Sequence, residues 1–216
     1  DLGAVPELKA IRREGDALVI GAMTRHCDVA ESAEVRAAIP ALAALAGGIG
    51  DKQVRARGTI GGSVANNDPA ADYPAALLAL GATVHTTARA IAADDFFQGL
   101  FATALEEGEL ITAVRFPIAA KAAYVKFAQP ASLFALIGVF VAQTAQGVRV
   151  AVTGGGNGVF RHRAMEQALD ARFAPEAIAG VPTEEAGMSS DLHASSAYRA
   201  HLVGVMAQRA VAQALA

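Results

Sequence analysis

The segment from Arg57 to Asp72 carries the residue types in this chain that are best suited to chemistry. Three glycines and two hydroxyl side chains fall within it: Gly58, Thr59, Gly61, Gly62 and Ser63. Glycine permits positive φ and a close approach of the backbone to a ligand. Successive N–H groups, together with these hydroxyls, would form a nest for phosphate oxygens or a ring carbonyl. The segment contains neither a Gly-Lys-Ser/Thr phosphate loop nor a G-x-G-x-x-G fingerprint, and a tight turn that needs glycine only for its backbone explains the pattern equally well.

Three polar side chains follow these glycines at short intervals. Asn66, Asp68 and Asp72 lie directly downstream, where their side chains could bind ribose hydroxyls or order the glycine-rich segment. Taken singly, each has an ordinary explanation, with Asp72 as a helix N-cap and the other two as turn residues. Their position after the glycines is what makes them candidate binding residues.

Other residues are weaker candidates for a site. Thr153–Gly158 is also rich in glycine, and we expect a mobile connection there. Lys126 is predicted on the solvated edge of a strand, with a position near a flavin or a phosphate as the alternative. His26 and Cys27 are adjacent without a third orienting group, so Cys27 is predicted to be a small buried hydrophobe. Ser63 has neither a nearby histidine nor a G-x-S-x-G elbow, and we expect no nucleophile.

Composition excludes several classes of protein. The net charge is −3 with scattered Lys and Arg, which argues against nucleic-acid binding because no basic face meets the phosphates. Hydrophobic residues make up 53% of the 216 residues, so we expect a packed core, but no apolar run predicts a membrane span.

Cys27 is the only cysteine, which excludes an intrachain disulfide and a cluster held by four thiolates, and the five histidines lack metal-site spacing. We expect cytoplasmic residence because no signal peptide is visible. Asp1-Leu2-Gly3 resembles the middle of a domain, so we expect the chain to lack its own beginning.

Neighbouring elements must hold the glycine-rich segment, and local patterns predict them. In the first half of the chain we predict a strand at Ala17–Ala22, a helix from near Val29 capped by Asp28, a helix from Pro40 to Gly47, a helix over Tyr73–Leu80 between Asp72 as N-cap and Gly81, and a strand at Ala82–Thr87. Further on we predict an aromatic-anchored loop at Asp94–Phe97, a strand at Glu109–Phe116, a hairpin of Phe134–Gln143 with Val148–Val152, and helices at Arg163–Asp170 and Ser195–Ala214. In the last helix the predicted apolar face lies opposite Arg199 and Gln208, and it consists of Tyr198, Leu202, Val205 and Met206. This order predicts an α+β fold in two lobes, with domains at residues 1–122 and 123–216.

The stretch Gln53–Asp72 closely resembles the second flavin-binding segment of the molybdopterin dehydrogenase FAD-binding family. This family contains the medium subunits of carbon monoxide dehydrogenase and of aerobic xanthine or aldehyde dehydrogenases. The resemblance extends along nearly the whole chain, through Ile20–Thr24, Gly108–Pro117, Lys126–Ser132 and Ser195–Arg199 with the final helix.

The resemblance implies an FAD-binding domain with a vanillyl-alcohol-oxidase-like fold, followed by a small α+β C-terminal domain with an antiparallel sheet and helices. It implies that the flavin and its pyrophosphate are lined by Thr59, Ile60, Gly61, Gly62 and Ser63. Asn66 and Asp72 would hydrogen-bond the cofactor, while Ile111 and Lys126 would approach it from the other side. It further implies two partners, a molybdenum-cofactor large subunit and a 2Fe-2S small subunit. Electrons from these would pass through FAD to an external acceptor, without a catalytic side chain in this chain.

The sequence departs from the family pattern at two places. Family members carry an N-terminal lobe with a first glycine-rich segment of the Ala-Gly-Gly-x-Ser kind, which nothing before Asp1 supplies, and Ala46–Ile49 comes too late to replace it. The arginine that commonly follows Pro-Ala-Ser is Leu133 here. Two alternatives therefore stay open: a scaffold subunit of the same complex that binds no flavin, and an unrelated phosphate-ligand binding module.

Overall fold

Two large antiparallel sheets and one two-stranded sheet organise the chain, and the structure, a computed structural model, describes residues 2–216. In this range the strands are β1 (Ile11–Glu14), β2 (Ala17–Gly21), β3 (Thr83–Thr86), β4 (Ala90–Ala92), β5 (Phe97–Gly99), β6 (Ala102–Thr103), β7 (Ile111–Pro117), β8 (Lys121–Ala128), β9 (Ala135–Thr144), β10 (Gly147–Thr153) and β11 (Phe160–Arg161). The α-helices are α1 (His26–Glu31), α2 (Ala33–Ala38), α3 (Pro40–Gly47), α4 (Lys52–Arg57), α5 (Ile60–Asn66), α6 (Tyr73–Leu80), α7 (Ala93–Phe96), α8 (Arg163–Ala171) and α9 (Ser196–Leu215). Short 3-10 helices lie at Leu2–Ala4, Pro6–Lys9 and Pro175–Ile178.

The first sheet has the strand order β1-β2-β7-β3-β4, and its neighbouring strands are antiparallel. Every residue of β2 is buried, as its apolar sequence predicts. Ile20 of β2 lies opposite Val114 of β7, which in turn pairs with Val84 of β3. Helices α1, α2, α3, α5 and α6 contribute buried side chains to the same core, so the glycine-rich segment is attached to the central part of this sheet.

The second sheet has the order β11-β10-β9-β8, and its two faces enter different cores. Side chains alternate along a strand, so Phe140 and Ala142 of β9 pack in the first core while Val139 and Val141 pack in a second one. All residues of α6 are buried, because this helix lies between the first core and the second sheet. α9 covers the opposite face of the second sheet through buried residues such as Met206.

Most of the predicted elements are confirmed, as is the α+β class. The hairpin turns at Ala145 and Gln146, directly before Gly147 opens β10, and α6 ends at Gly81, whose φ of 65° is left-handed. The stretch Asp94–Phe97 was predicted as a loop, but it contains α7, whose Phe96 is fully buried as the expected anchor. The chain passes from the first sheet to the second at residues 118–120, and a domain boundary at residue 122 stays a prediction.

Two local predictions about charged residues were wrong. α1 already begins at His26 with Arg25 as N-cap, so Asp28 lies in the first turn and accepts hydrogen bonds from Arg25 at 2.8 Å. In α9, Arg199 is 5% exposed whereas Tyr198 is 44% exposed, which reverses their predicted faces.

Arg199 is buried because the second sheet supplies acceptors for its guanidinium. Its Nη1 donates to Leu136 O at 2.9 Å and to Gly154 O at 2.8 Å, and its Nη2 donates to Asp191 Oδ2 at 2.7 Å. Between residues 2 and 216, no helix is long and apolar enough to cross a membrane.

Candidate functional site

The glycine-rich segment is the start of a helix and not a loop. Thr59 is the N-cap of α5, and its Oγ1 accepts a hydrogen bond from Gly62 N at 3.2 Å. Gly58 precedes this cap with a φ of −63°, and neither Gly61 nor Gly62 has a positive φ. The prediction of a glycine-rich loop with positive φ angles was therefore wrong, while ligand binding by this segment stays a prediction.

Close packing explains two of the three glycines. A Cβ on Gly61 would lie 2.5 Å from the Cβ of Ala22, and Gly61 N donates to Ala22 O at 2.8 Å. A Cβ on Gly58 would lie 2.5 Å from His26 Nε2. A Cβ on Gly62 would meet only Thr59 Oγ1, at 3.0 Å, and Gly62 lies on the exposed side of α5. Gly61 thus lets α5 press against the turn that follows β2, and Gly58 lets the chain before α5 press against His26 of α1.

Four of the predicted binding residues, Ser63, Asn66, Asp68 and Asp72, converge on one cavity of about 170 Å³, which we call the central cavity. Its lining consists of His26, Ile49, Gly50, Val54, Ser63, Asn66, Asp68, Ala71, Asp72, Ser132, Leu133 and Phe134. Ser63 and Asn66 come from α5, and Asp72 lies at the N-terminus of α6. A larger cavity of about 490 Å³, near β11 and residues 182–188, contains none of the predicted site residues in its lining.

Asp72 occupies the N-cap position of α6 but makes no side-chain cap hydrogen bond, so its predicted capping role was wrong. Its carboxylate is buried and accepts hydrogen bonds from the hydroxyl of Tyr124 and, at 3.1 Å, from Lys126 Nζ. Burial raises the pKa of Asp72, while the charge of Lys126 and the two hydrogen bonds oppose this rise. Burial and the neighbouring carboxylate raise the pKa of Tyr124 well above its ordinary value.

Lys126 holds three segments together around Asp72. Besides the carboxylate, its Nζ donates to Gly48 O at 2.8 Å and to Leu133 O at 2.9 Å. An ammonium group has three donors, and these acceptors match that number. The side chain is 13% exposed, so the prediction of a solvated edge lysine was wrong.

The remaining predicted site residues lie outside the lining of the central cavity. Thr59 and Gly62 are at the start of α5, where Gly62 is exposed. Ile60 and Gly61 are the first two residues of α5 and lie on its buried side. Ile111 begins β7 and is 6% exposed within the first core, so the structure does not bring it to the cavity.

Two residues of the site were missed from sequence. Tyr124 lies two positions before Lys126 on β8, and residues at this spacing share a face of a strand, which is a signal that was available. His26 was treated as a chance neighbour of Cys27, but it is 4% exposed and lines the central cavity. Cys27 is only partly buried, contrary to prediction, and its Sγ lies 3.5 Å from Asp28 Oδ1.

The second glycine-rich segment, predicted as a mobile connection, is buried in its first half. Thr153 Oγ1 donates to Ala71 O at 2.7 Å, and Gly154 N donates to Pro69 O at 2.8 Å. The prediction was wrong for Thr153–Gly155, because the end of β10 fixes the turn that leads into Asp72.

The described part of the chain contains no group of three or more His, Cys, Asp or Glu side chains that could hold a metal ion. The central cavity instead combines carboxylates, an amide, hydroxyls and an imidazole with apolar walls. This arrangement can bind an organic ligand that has both apolar and hydrogen-bonding parts.

Comparisons with known proteins agree on one family. Residues 1–119 match the family described as the FAD binding domain in molybdopterin dehydrogenase. The chain is 34% identical to the carbon monoxide dehydrogenase medium chain of Hydrogenophaga pseudoflava, over 98% of this chain and 79% of that protein. It is also 34% identical to the nicotine 6-hydroxylase medium subunit of Paenarthrobacter nicotinovorans, over 99% of this chain and 81% of that protein.

Solved structures show the same relationship. The carbon monoxide dehydrogenase of Hydrogenophaga pseudoflava lacking the Mo-pyranopterin moiety superposes with a TM-score of 0.87 at 36% identity, covering 98% of this chain and 79% of that one. Quinoline 2-oxidoreductase from Pseudomonas putida 86 also gives a TM-score of 0.87, at 28% identity, with 99% and 80% covered. The chain therefore belongs to the family of FAD-binding domains of molybdopterin dehydrogenases.

Proposed function

We propose that this chain is the FAD-binding medium subunit of a molybdenum hydroxylase. In this role it passes electrons from a partner iron–sulfur subunit through FAD to an external acceptor. The observation that carries the proposal is the convergence of Ser63, Asn66 and Asp72 on the central cavity. All three belong to the stretch that resembles the family's second flavin-binding segment, and this stretch lies within the matched residues 1–119.

The residues around the central cavity fit part of a flavin dinucleotide. Ile49, Val54, Leu133 and Phe134 provide apolar walls, and the polar members of the lining provide hydrogen bonds. The cavity measures about 170 Å³. Pockets for whole ligands measure roughly 300–1,000 Å³, so this cavity would hold only a portion of the cofactor. One buried polar atom of the lining residues, His26 Nδ1, has no partner among residues 2–216, as expected where a ligand completes the hydrogen bonds.

The chain's own residues position the cofactor. When bound, FAD supplies the electron-transfer chemistry, and the protein supplies orientation and electrostatics. The carboxylate of Asp72 is held in place by Tyr124 and Lys126, so it presents its acceptor atoms in a fixed direction. We assign Lys126 to this supporting role, in addition to the approach that the family resemblance implies. Thr59–Ser63 and Asn66 are proposed contacts of the cofactor, and Ile111 is proposed to shape its surroundings from β7.

The proposed partners are a molybdenum-cofactor large subunit and a 2Fe-2S small subunit. Cys27 is the only cysteine among the 216 residues, and an iron–sulfur cluster needs four cysteine thiolates, so we propose that the clusters belong to the partner subunit. We propose cytoplasmic residence for the complex, and a division of this chain into a FAD-binding domain at 1–122 and a C-terminal domain at 123–216.

A visible absorption spectrum of the purified subunit with its partners tests the proposal. Flavin bands at one equivalent per chain, bleached when the complex is given its reducing substrate, are the expected result. A colourless complex that takes up no flavin from excess FAD would overturn the proposal and favour a scaffold subunit.

A matched pair of variants tests whether the flavin lies in the central cavity. Asp72→Asn removes a buried carboxylate of the lining and should weaken FAD binding by about 10- to 100-fold, because hydrogen bonds to charged groups are strong. Glu166→Gln removes a carboxylate that is equally buried but bonded to Arg161 outside the cavity, and it should leave FAD affinity unchanged. Equal affinities for both variants would contradict this placement.

A further inference from the structure

A second, more open groove adjoins the central cavity, and we call it the outer groove. Its volume is about 440 Å³, and its lining shares Asp68, Ser132 and Phe134 with that of the central cavity. None of the residues that the family resemblance implies for FAD belongs to the lining of the outer groove. The outer groove is therefore a neighbour of the proposed flavin site rather than a part of it.

Backbone strain is concentrated around these two cavities. Between residues 2 and 216, three residues other than glycine have a left-handed φ: Asn67 at 45°, Phe101 at 52° and Leu133 at 61°. Leu133 lines the central cavity, Phe101 lines the outer groove, and Asn67 directly precedes Asp68, which lines both. A left-handed φ is unusual for side chains as large as Phe and Leu, and such strain is typical of positions that contact ligands.

Asn67 fixes the tip of the β5–β6 hairpin at the outer groove. Its Nδ2 donates to the two carbonyl oxygens that flank Leu100 and Phe101, at 2.8 and 2.7 Å. These two residues of the tip are 56% and 58% exposed, and Phe134 of the same lining is 48% exposed. The groove thus presents three large apolar side chains to solvent, and a flat apolar molecule would cover them.

The charges of the outer groove favour an uncharged molecule. Its lining contains two carboxylates, Asp68 and Asp191, and one cation, Arg199. Arg199 Nη2 donates to Asp191 Oδ2 at 2.7 Å and its Nη1 to two backbone carbonyls, whereas Asp68 forms no ion pair in the described range. With its histidine neutral, the lining has one negative charge in excess. A nicotinamide dinucleotide would bring two phosphates of like charge into the groove, so this class of acceptor fits poorly.

The outer groove and the proposed phosphate contacts lie at opposite ends of α5. Thr59 and Gly62, which are proposed to contact the cofactor, are at the start of this helix, and Ser63 and Asn66 line the central cavity. The outer groove begins at Asp68, after the helix has ended. A cofactor that extends from the central cavity towards the start of α5 would therefore leave the outer groove free for a second molecule.

We propose that the outer groove binds the external electron acceptor, and that this acceptor is an uncharged quinone. The inference rests on the proposed function, because it takes the flavin of the central cavity to be the electron donor. The quinone takes two electrons and two protons from the reduced flavin and becomes a quinol, while the flavin returns to FAD. Leu100, Phe101 and Phe134 contact the quinone ring, and Asn157 and Ser189 offer N–H and O–H donors to its carbonyl oxygens.

The first test measures binding of menadione, a quinone, to the oxidised complex of this chain with its partners, by calorimetry and without reducing substrate. Phe101→Gly removes the aromatic ring and places glycine at a φ of 52°, which glycine adopts without strain. The dissociation constant for menadione should rise about tenfold, as expected for the loss of an aromatic contact, while Tm should be unchanged or higher. Leu215→Ala shortens a side chain that is 44% exposed and lies outside both cavities, and it should leave the constant unchanged.

The second test follows the flavin itself. After reduction of the complex without oxygen, menadione should restore the absorbance of oxidised flavin, and NAD⁺ at the same concentration should not. In Phe101→Gly, the menadione concentration for half-maximal rate should be about tenfold higher, at an unchanged FAD content. If Phe101→Gly does not fold, Leu100→Ser replaces it in both tests with the same expected direction.

The outcomes separate this inference from the proposed function. Wild-type affinity for menadione in Phe101→Gly and Leu100→Ser would overturn the assignment of the groove and leave the proposed function intact. Loss of FAD from either variant would also overturn it, because the groove would then hold the cofactor. Reoxidation by NAD⁺ and not by menadione would overturn the quinone. A wild-type complex that takes up no FAD would overturn the proposed function and this inference with it.

Discussion

The hydrogen bond from the hydroxyl of Tyr124 to the carboxylate of Asp72 can be tested by a single substitution. It donates to Asp72 Oδ1, and the two residues are 9% and 4% exposed. Tyr124→Phe keeps the ring stacked on Phe140, at a centroid distance of 6.0 Å, and removes only the donor. The carboxylate then retains Lys126 Nζ, 3.1 Å from Oδ2, but its other oxygen loses this partner.

The expected loss of stability follows from the burial of this hydrogen bond. A hydrogen bond to a charged group contributes about 1.5–3 kcal/mol. In a chain of this length 1 kcal/mol shifts Tm by roughly 2–4 °C, so Tyr124→Phe should lower Tm by about 3–12 °C. The pKa of Asp72, already raised by burial, should rise further, because the lost hydrogen bond favours the ionised carboxylate.

Thermal melts of Tyr124→Phe and Tyr73→Phe measure this effect against a matched control. Tyr73 is buried like Tyr124, but its hydroxyl has no partner in the described range, so Tyr73→Phe should leave Tm unchanged or raise it. In an Asp72→Asn background, the further loss caused by Tyr124→Phe should be much smaller, because the charged acceptor is gone. The reasoning is refuted if both tyrosine variants lose the same stability, or if Tyr124→Phe melts with the wild type.

Two further predictions concern the glycine-rich helix and the pH dependence of stability. Gly61→Val should destabilise the fold by about 3 kcal/mol or more, because even its Cβ would lie 2.5 Å from that of Ala22. Gly62→Val, on the exposed side, should fold normally and lose flavin on gel filtration, and full flavin retention by it would contradict binding by this segment. The pKa of His26 falls from an ordinary 6.5 to about 4 on folding, so the fold favours the neutral ring. The stability that depends on this neutral ring is fully present above pH 6.5 and is lost as the pH falls toward 4. The total loss from this residue is about 3 kcal/mol. Urea unfolding at roughly pH 7 and pH 4.5 should show a smaller loss for His26→Leu than for the wild type, and equal losses would argue against this assignment.

Short-range patterns were sufficient for most elements of the fold. The apolar run Ala17–Gly21 forms β2, Pro40 opens α3, and Gly81 ends α6 in a left-handed conformation. Each of these outcomes depends on residues within a turn or two of the position concerned, so a single sequence contains the necessary information.

Charged residues were misplaced because their partners lie far away along the chain. Lys126 donates to Gly48 O, 78 positions earlier, and Arg199 donates to Leu136 O, 63 positions earlier. Local patterns place such side chains in solvent, where an isolated charge is favoured. Only the approach of β8 to α3, and of α9 to the second sheet, supplies the acceptors that allow them to be buried.

The glycine-rich segment illustrates the same limit for the backbone. Glycine is disfavoured inside helices by about 1 kcal/mol relative to alanine, and a loop was the natural prediction. Packing against Ala22 outweighs this preference, since only a residue without a side chain fits between α5 and the end of β2.

The sequence by itself determined the α+β class, most of the elements and the resemblance to the FAD-binding family, because these depend on local residue order and on similarity along the chain. The tertiary structure alone decided that the glycines open a helix, that Asp72 is bonded to Tyr124 and Lys126 rather than to its own helix, and that His26 lines the same cavity. The physical reason is that burial and hydrogen bonding at this site arise where α1, α5, α6 and β8 meet, and these elements are separated by up to about a hundred residues.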